Sequence, residues 1–371
     1  MRKISTIFGV AAMALTTVAP TAGEVEGLVL RSSSATSPTP VRPSGPGWYL
    51  DVINADDSDL DTAYFGSRLD GTGWAVAVID DGIDSGHPYL SDATGKSRVI
   101  AEACRTNRNC SGGAKGADGP GSAAHSDNRW HGTHVAGIAI GDGRGQRPAV
   151  VRGVARAADL VAVKVSESNG STLGSNVDAA LRWILDQRLS GMRIASVNLS
   201  LSSLVVFPGN CDKSSPTTKK IIDDLLASGV VVVTATGNAA SRTGTTWPAC
   251  LSNILPVGSI TFSMQVSNES NIGPVVANQG LLAPGQSICS SVNRTRATTG
   301  YGCTSGTSMA APQVAGAVAL LRQKFPSLSA GQIVTALRST ATTISDTRPG
   351  GTTSGLRVLD VAAAIAAAAG L

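Results

Sequence analysis

The run Val230-Val231-Val232-Val233-Thr234 is apolar at four consecutive positions instead of at every second one. A strand buried on one face alternates, whereas an unbroken run of branched residues marks a strand covered on both faces, as in a parallel sheet. Further strand candidates lie at 74–79, 160–165, 194–199 and 254–257. Helical patterns at 133–139, 174–188, 219–228 and 308–324 fall between or after them. Strands alternating with helices predict an α/β fold in three layers, a mostly parallel central sheet with helices on both faces. Ser329, followed by Ala330, Gly331 and Gln332, predicts the start of one more helix. Gly is frequent, at 42 residues, and aromatic residues make up only 4%. Both suit tight strand–helix contact.

Polar residues capable of chemistry sit at the ends of these elements. Val76-Ala77-Val78-Ile79-Asp80-Asp81-Gly82 places a carboxylate just after an apolar strand. His131-Gly132-Thr133-His134-Val135-Ala136-Gly137 places an imidazole at the start of a small-residue helix. Gly306-Thr307-Ser308-Met309-Ala310-Ala311-Pro312 places a hydroxyl at the start of another. A serine hydroxyl is a weak nucleophile at neutral pH and needs a base within hydrogen-bond reach. Histidine has the right proton affinity, and a buried carboxylate on its second nitrogen fixes the tautomer and stabilises the imidazolium. The expected roles are Ser308 as nucleophile, His131 as general base and then acid, and Asp80 as orienting carboxylate. The valine-rich strand ends in Ala235-Thr236-Gly237-Asn238. The Asn238 amide and the backbone N–H of Ser308 at its helix N-terminus are the expected oxyanion donors.

Met1-Arg2-Lys3 followed by the apolar run 4–18 has the form of a secretory signal. It is shorter than the ~20 residues of a spanning helix. The predicted organisation is a signal peptide at 1–22, a Ser/Pro-rich pro-segment or linker at 23–46, and one catalytic domain at 47–371. The chain carries a net charge of +4 without a basic run. Nucleic-acid binding and stable membrane association therefore have no support. Six cysteines suit an exported chain with three disulfides. Six allow fifteen pairings. The preferred set is Cys104–Cys110 within one loop, Cys211–Cys250, and Cys289–Cys303 bracing the approach to Ser308. No paired C-x₂-C spacing points to zinc, and no metal ligand is assigned.

At the three polar segments and the Thr-Gly-Asn turn, the chain resembles the subtilisin-type serine proteases, the subtilase family. The order Asp, His, Ser matches subtilisin and differs from chymotrypsin and the α/β-hydrolases. The resemblance runs from about Trp48 to the C-terminus. It implies that Ser200, Leu201 and Ser202 lie beside the substrate's P1 residue, and that Gly170, Ser171 and Thr172 pair with the substrate backbone on its P2–P4 side. It makes Ala235, Thr236 and Gly237 one wall of the S1 pocket. Thr246, by its place just before Trp247-Pro248, is expected at the pocket's floor, where its side chain would shorten it. An extended peptide held between two edges is a β-augmentation mode.

Some positions depart from the family pattern. Ser202 replaces the usual Gly and Gln313 the usual His. Tyr89 stands where many members carry a calcium-binding Asp, and Gly141-Asp142-Gly143-Arg144-Gly145-Gln146-Arg147 replaces the usual calcium loop. One carboxylate beside two arginines suits a hard cation poorly. No cofactor is expected for the chemistry, and the strong calcium site is expected to be absent, with weaker sites left open. His134 reads as a packing or hydrogen-bonding residue, Asp81 and Asp84 as turn residues, and His87 and His125 as solvated loop residues. The stretch from Pro88 to His131 reads as an inserted surface loop. The resulting expectation is a secreted, monomeric endopeptidase of broad specificity acting on proteins or peptides. The alternatives are a narrow processing protease and an inactive peptide-binding scaffold.

Overall fold

A computed structural model of the chain describes residues 29–31, 48–55, 60, 68–107, 109–110, 114–125, 129–143, 152–167, 169–293 and 297–371. The expected signal at 1–22 lies outside the described residues. So do the 23–46 segment, apart from 29–31, and the Arg144–Arg147 part of the loop expected to replace a calcium site.

In chain order the strands are β1 (Val29–Arg31), β2 (Ala75–Asp80), β3 (Val99–Arg105), β4 (Gly116–Asp118), β5 (Asp159–Lys164), β6 (Ser171–Leu173), β7 (Ile194–Leu199) and β8 (Val206–Phe207). They continue with β9 (Val231–Ala235), β10 (Thr245–Thr246), β11 (Leu255–Ile260), β12 (Leu281–Pro284), β13 (Ile288–Ser291), β14 (Tyr301–Thr304), β15 (Thr342–Ile344) and β16 (Leu356–Val358). The helices are α1 (Trp48–Val52), α2 (His131–Ile140), α3 (Gly174–Leu189), α4 (Pro216–Ala227), α5 (Pro274–Gln279), α6 (Thr307–Lys324), α7 (Ala330–Ser339) and α8 (Val361–Ala368).

The main sheet has ten strands in the order β15-β16-β12-β11-β9-β7-β2-β5-β3-β4. Neighbours from β3 across to β16 run parallel. β4 and β15 close the two edges antiparallel. The chain lays β3 and β5 on one side of β2, then crosses to lay β7, β9, β11 and β12 on the other. The C-terminal end of β2 is therefore where the direction of sheet growth reverses, the position at which such sheets open a crevice.

Both faces of the sheet are covered, which is why central strands such as β2 and β9 read as mostly apolar runs. Val76 and Val78 of β2 enter a core with α2, α6, α7 and α8. Ala75, Ala77 and Ile79 of the same strand enter the opposite core with α3 and α4. Burying each Val or Ile contributes about 1.5–3 kcal/mol, so Val76, Val78 and Ile79 stabilise the fold from both faces of one strand. Helices α2 and α6 come close through small residues. A Cβ on Gly316 would lie 2.9 Å from the Ala139 carbonyl oxygen and 2.8 Å from the Val154 Cβ. Ser329 caps α7 with a reciprocal capping box to Gln332.

The expectation of a surface loop between Pro88 and His131 is corrected in part. β3 lies inside the main sheet between β5 and β4, and Ala103 and Cys104 are wholly buried. The first half of β3 is only partly covered, with Ile100 48% exposed, so the strand lacks the apolar signature of β5. His87 is also buried, contrary to its reading as solvated. Its ring accepts from the Tyr89 N–H and donates to the Gly300 carbonyl. Disulfides join Cys104 to Cys110, Cys211 to Cys250, and Cys289 to Cys303. The last pair crosses the β13–β14 hairpin at directly facing positions, shortly before Ser308.

Candidate active site

Asp80 is the last residue of β2 and is buried at the sheet's reversal point. Its Oδ1 accepts from the Asp81 N–H at 2.7 Å and from Nδ1 of His131 at 2.8 Å. His131 opens α2 and is itself buried. Its Nε2 is left without a hydrogen-bond partner among the described residues. Burial alone would lower the imidazole's pKa. The Asp80 charge and hydrogen bond, with the Asp81 charge behind them, outweigh that effect and hold the pKa above its ordinary value.

Asp81 does more than turn the chain. Its two carboxylate oxygens accept from the backbone N–H groups of Gly132, at 2.8 Å, and His131, at 3.3 Å. It thus caps α2 from a neighbouring element, where the helix's own preceding residue, Trp130, supplies no side-chain cap. A carboxylate at a helix N-terminus satisfies orphan donors and meets the positive end of the helix dipole. Burial, and then the adjacent Asp80, hold Asp81 above the usual carboxylate range. Gly132 permits the contact, because a Cβ there would lie 2.4 Å from the Gly82 carbonyl oxygen. His134 points elsewhere. Its Nε2 meets the Gly302 carbonyl at 3.1 Å, and burial pushes its pKa down to about 3. It stays neutral and ties α2 to β14. Asp84 sits in the turn after β2, with its N–H on the Thr133 hydroxyl. His125 is half-buried, its Nδ1 beside Asn293.

Ser308 is the second residue of α6. Gly306, with φ of +141°, turns the chain into this helix in the region that favours glycine. The Ser308 hydroxyl donates to the Ser200 carbonyl at 3.4 Å, and the Ser200 hydroxyl donates back to the Ser308 carbonyl at 2.9 Å. The segment Ser200-Leu201-Ser202 that follows β7 is thereby tied to the helix bearing Ser308.

Asn238 lies three residues past β9 and is partly exposed. Its Oδ1 accepts from both the N–H and the hydroxyl of Thr307, each at 2.9 Å. Those bonds occupy the amide oxygen and leave the NH₂ end for another partner. Thr307 also accepts from the Gly237 N–H at 3.2 Å, so one threonine joins the turn after β9 to the residue beside Ser308. Thr307 and the capping role of Asp81 leave no local signal in the sequence, since their partners lie 69 and about 50 residues away.

The other predicted positions are placed as follows. Ser171 and Thr172 lie in β6. Gly170 precedes it with φ of +82°, and a Cβ there would meet the Arg129 guanidinium. Residues 29–31 form β1, which pairs antiparallel with β6. Ala235 ends β9, and Thr236 and Gly237 continue from it. Thr246, in β10, is buried, and its hydroxyl donates to the Thr236 carbonyl at 3.2 Å. Its Oγ1 would lie 2.7 Å from a Cβ on Gly237, so it packs directly behind that glycine. Gln313 lies inside α6, its amide donating to the carbonyls of Pro284 and Met309. Tyr89 is buried, its ring against Gly137 and Gly141. Among the described residues no group of three or more His, Cys, Asp or Glu side chains is placed to hold a metal ion. No helix among them is long and apolar enough to cross a membrane.

The family model described as "Subtilase family" matches residues 71–356. Subtilisin Savinase of Lederbergia lenta is 35% identical over 281 residues, covering 75% of this chain and 87% of its own. Subtilisin NAT of Bacillus subtilis subsp. natto is 34% identical over 277 residues, covering 73% of this chain. The match spans 61% of the length of that relative and of Subtilisin E. Among solved structures, a cold adapted subtilisin-like serine proteinase is similar with a TM-score of 0.61 and 29% identity, over 86% of this chain and 99% of that one. A protease from Pseudoalteromonas arctica is similar with a TM-score of 0.67 and 26% identity, over 88% of this chain and all of that one.

Proposed function

Because the chain belongs to the subtilase family, we propose that it is a secreted serine endopeptidase that hydrolyses peptide bonds through an acyl-enzyme. The observation that carries this reading is the buried 2.8 Å bond between Asp80 and Nδ1 of His131, with Nε2 unpartnered among the described residues. That arrangement sets the tautomer whose Nε2 can take a proton.

In the proposed reaction, the Ser308 oxygen attacks the scissile carbonyl carbon while His131 Nε2 takes the hydroxyl proton. Asp80 stabilises the imidazolium so formed. The carbonyl oxygen becomes an oxyanion and accepts from the Asn238 amide and the Ser308 N–H. Collapse breaks the C–N bond, and His131 gives its proton to the leaving amine. Water then attacks the acyl-enzyme with His131 as base again, releasing the acid and restoring Ser308. No cofactor takes part in these steps. A weak structural calcium site is compatible with them.

The substrate is proposed to lie extended between Gly170-Ser171-Thr172 and Ser200-Leu201-Ser202. The antiparallel pairing of β1 with β6 supports this, since the same edge already accepts an extended backbone. Ala235, Thr236 and Gly237 form a wall of the S1 pocket, and Thr246 shortens its floor, which favours small or medium P1 side chains. Main-chain pairing gives affinity with little sequence preference, so broad specificity is the proposed mode. In this reading residues 1–22 direct export, 23–46 form a pro-segment or linker, and 47–371 form the peptidase domain, acting as a monomer on protein or peptide substrates.

The test is digestion of a peptide library by the purified mature enzyme beside Ser308→Ala. Cleavage at many sequences, abolished by the substitution, is expected, with large aromatic P1 residues disfavoured. Cleavage at a single sequence would favour a processing role, and cleavage that survives the substitution would reject the mechanism.

A further inference from the structure

The Asn238 amide can serve an oxyanion only if the turn that carries it is fixed. Past β9 the backbone leaves the sheet and bends through Gly237, at φ +97°, and Ala240, at φ +55°. Thr307 orients the Asn238 side chain, but the backbone of the turn needs its own support.

That support converges on one buried side chain. Asn271 is wholly inaccessible to solvent. Its Oδ1 accepts from the N–H groups of Ala239, at 3.0 Å, and Ser241, at 2.9 Å. Its Nδ2 donates to the Thr236 carbonyl at 3.1 Å, and its own N–H donates to the Gly237 carbonyl at 2.9 Å. These bonds bracket Asn238 on both sides. A primary amide suits the position because it offers an acceptor able to take two N–H groups beside a donor for a carbonyl. A Cβ on Gly237 would lie 2.6 Å from the Asn271 amide nitrogen, so a side chain at 237 would displace Asn271. Asn271 is in turn anchored from behind. The buried Arg348 guanidinium donates to the carbonyls of Ser267, Asn268 and Ser270 and is clamped by Asp346.

We infer that Asn271 is a positioning residue for catalysis, holding the 236–241 turn so that the Asn238 amide meets the oxyanion. The inference rests on the oxyanion role proposed above for Asn238. Because Asn271 acts through the turn, its loss weakens transition-state stabilisation and leaves ground-state binding of an extended peptide intact.

The experiment measures kcat and KM on a tetrapeptide p-nitroanilide for the wild type, Asn238→Ala, Asn271→Ala and the double variant. Competent sites are counted by titration with a fluorophosphonate. Asn271→Ala is expected to lower kcat about 10- to 100-fold, the scale of a misplacement near 1 Å. KM is expected to stay within about threefold, and in the Asn238→Ala background the same change should cost less than about threefold, as for residues acting as one unit. If Asn271→Ala yields no titratable sites, Asn271→Asp, which keeps the volume and the acceptor, is read by the same criteria. An unchanged kcat in Asn238→Ala removes the oxyanion reading and this inference with it. A normal loss in Asn238→Ala, with Asn271 variants silent or fully multiplicative with it, overturns this inference alone.

Discussion

Two carboxylates act on His131 in different ways. Asp80 bonds the ring, and Asp81 bonds the backbone N–H groups that begin the ring's helix. Both charges raise the imidazole's pKa. In the proposed mechanism the neutral ring is the base, so activity is expected to fall as pH drops through that pKa. Removing the Asp81 charge lowers it. Asp81→Asn is therefore expected to move the acid limb of the kcat/KM profile to lower pH, with kcat at the plateau reduced by no more than about thirtyfold, the rate equivalent of the upper end of the roughly 0.5–2 kcal/mol that a lost cap costs. A pH series of kcat/KM checks this, and an acid limb that stays or moves upward would contradict it. On the proposed oxyanion role, replacing Asn238 by Ala is expected to lower kcat by about 10²–10³ with KM little changed, the magnitude of losing a side-chain oxyanion donor in subtilisin. Steady-state kinetics on a peptide substrate check it.

At the scale of elements, the junction of β2 with α2 decides where the imidazole sits. Gly to Ala within a helix ordinarily stabilises by about 1 kcal/mol. At Gly132 the new methyl would lie 2.4 Å from the Gly82 backbone oxygen, which cannot swing aside. Overpacking costs about 1–3 kcal/mol and here outweighs the helical gain. Gly132→Ala is expected to lower Tm and to reduce kcat further than the stability loss explains, because α2 must move away from Asp80. Thermal denaturation and kinetics on the same preparation measure both. The same elements show what a linear sequence discloses. β2, β5, β7, β9 and β11 fall within about three residues of their expected places, because burial on both faces keeps these strands mostly apolar, even with Ser196 and Asn198 buried in β7. β3 and β12 leave no such run, the first being half-exposed and the second only four residues long. Asp80, His131, Ser308 and Asn238 stand out as polar residues at or near the termini of apolar elements. Asp81, Thr307 and Asn271 do not. Each acts through hydrogen bonds to residues about 30 to 70 positions away, and no local pattern records such a partner.

At the scale of the whole molecule, disulfides brace regions around a sheet whose own strands contain only Cys104. Cys211–Cys250 spans 39 positions and Cys104–Cys110 only 6. In the chain-entropy description the longer loop is worth about 4 kcal/mol and the shorter about 2. Replacing Cys211 and Cys250 together by Ala is expected to lower denaturant stability more than replacing Cys104 and Cys110, as read from the two unfolding midpoints. The reverse order would show that native-state strain or residual structure in the unfolded chain outweighs loop closure. In the proposed mechanism the C-terminal end of β2 and the N-terminal ends of α2 and α6 serve one centre. The most direct measurement of that claim is the rate and site of fluorophosphonate labelling, followed by mass spectrometry of the intact and digested protein. A single adduct on Ser308, formed at least about 10³-fold more slowly in a folded His131→Ala variant, is the predicted result. An adduct on another residue, or labelling of Ser308 indifferent to His131, would contradict it.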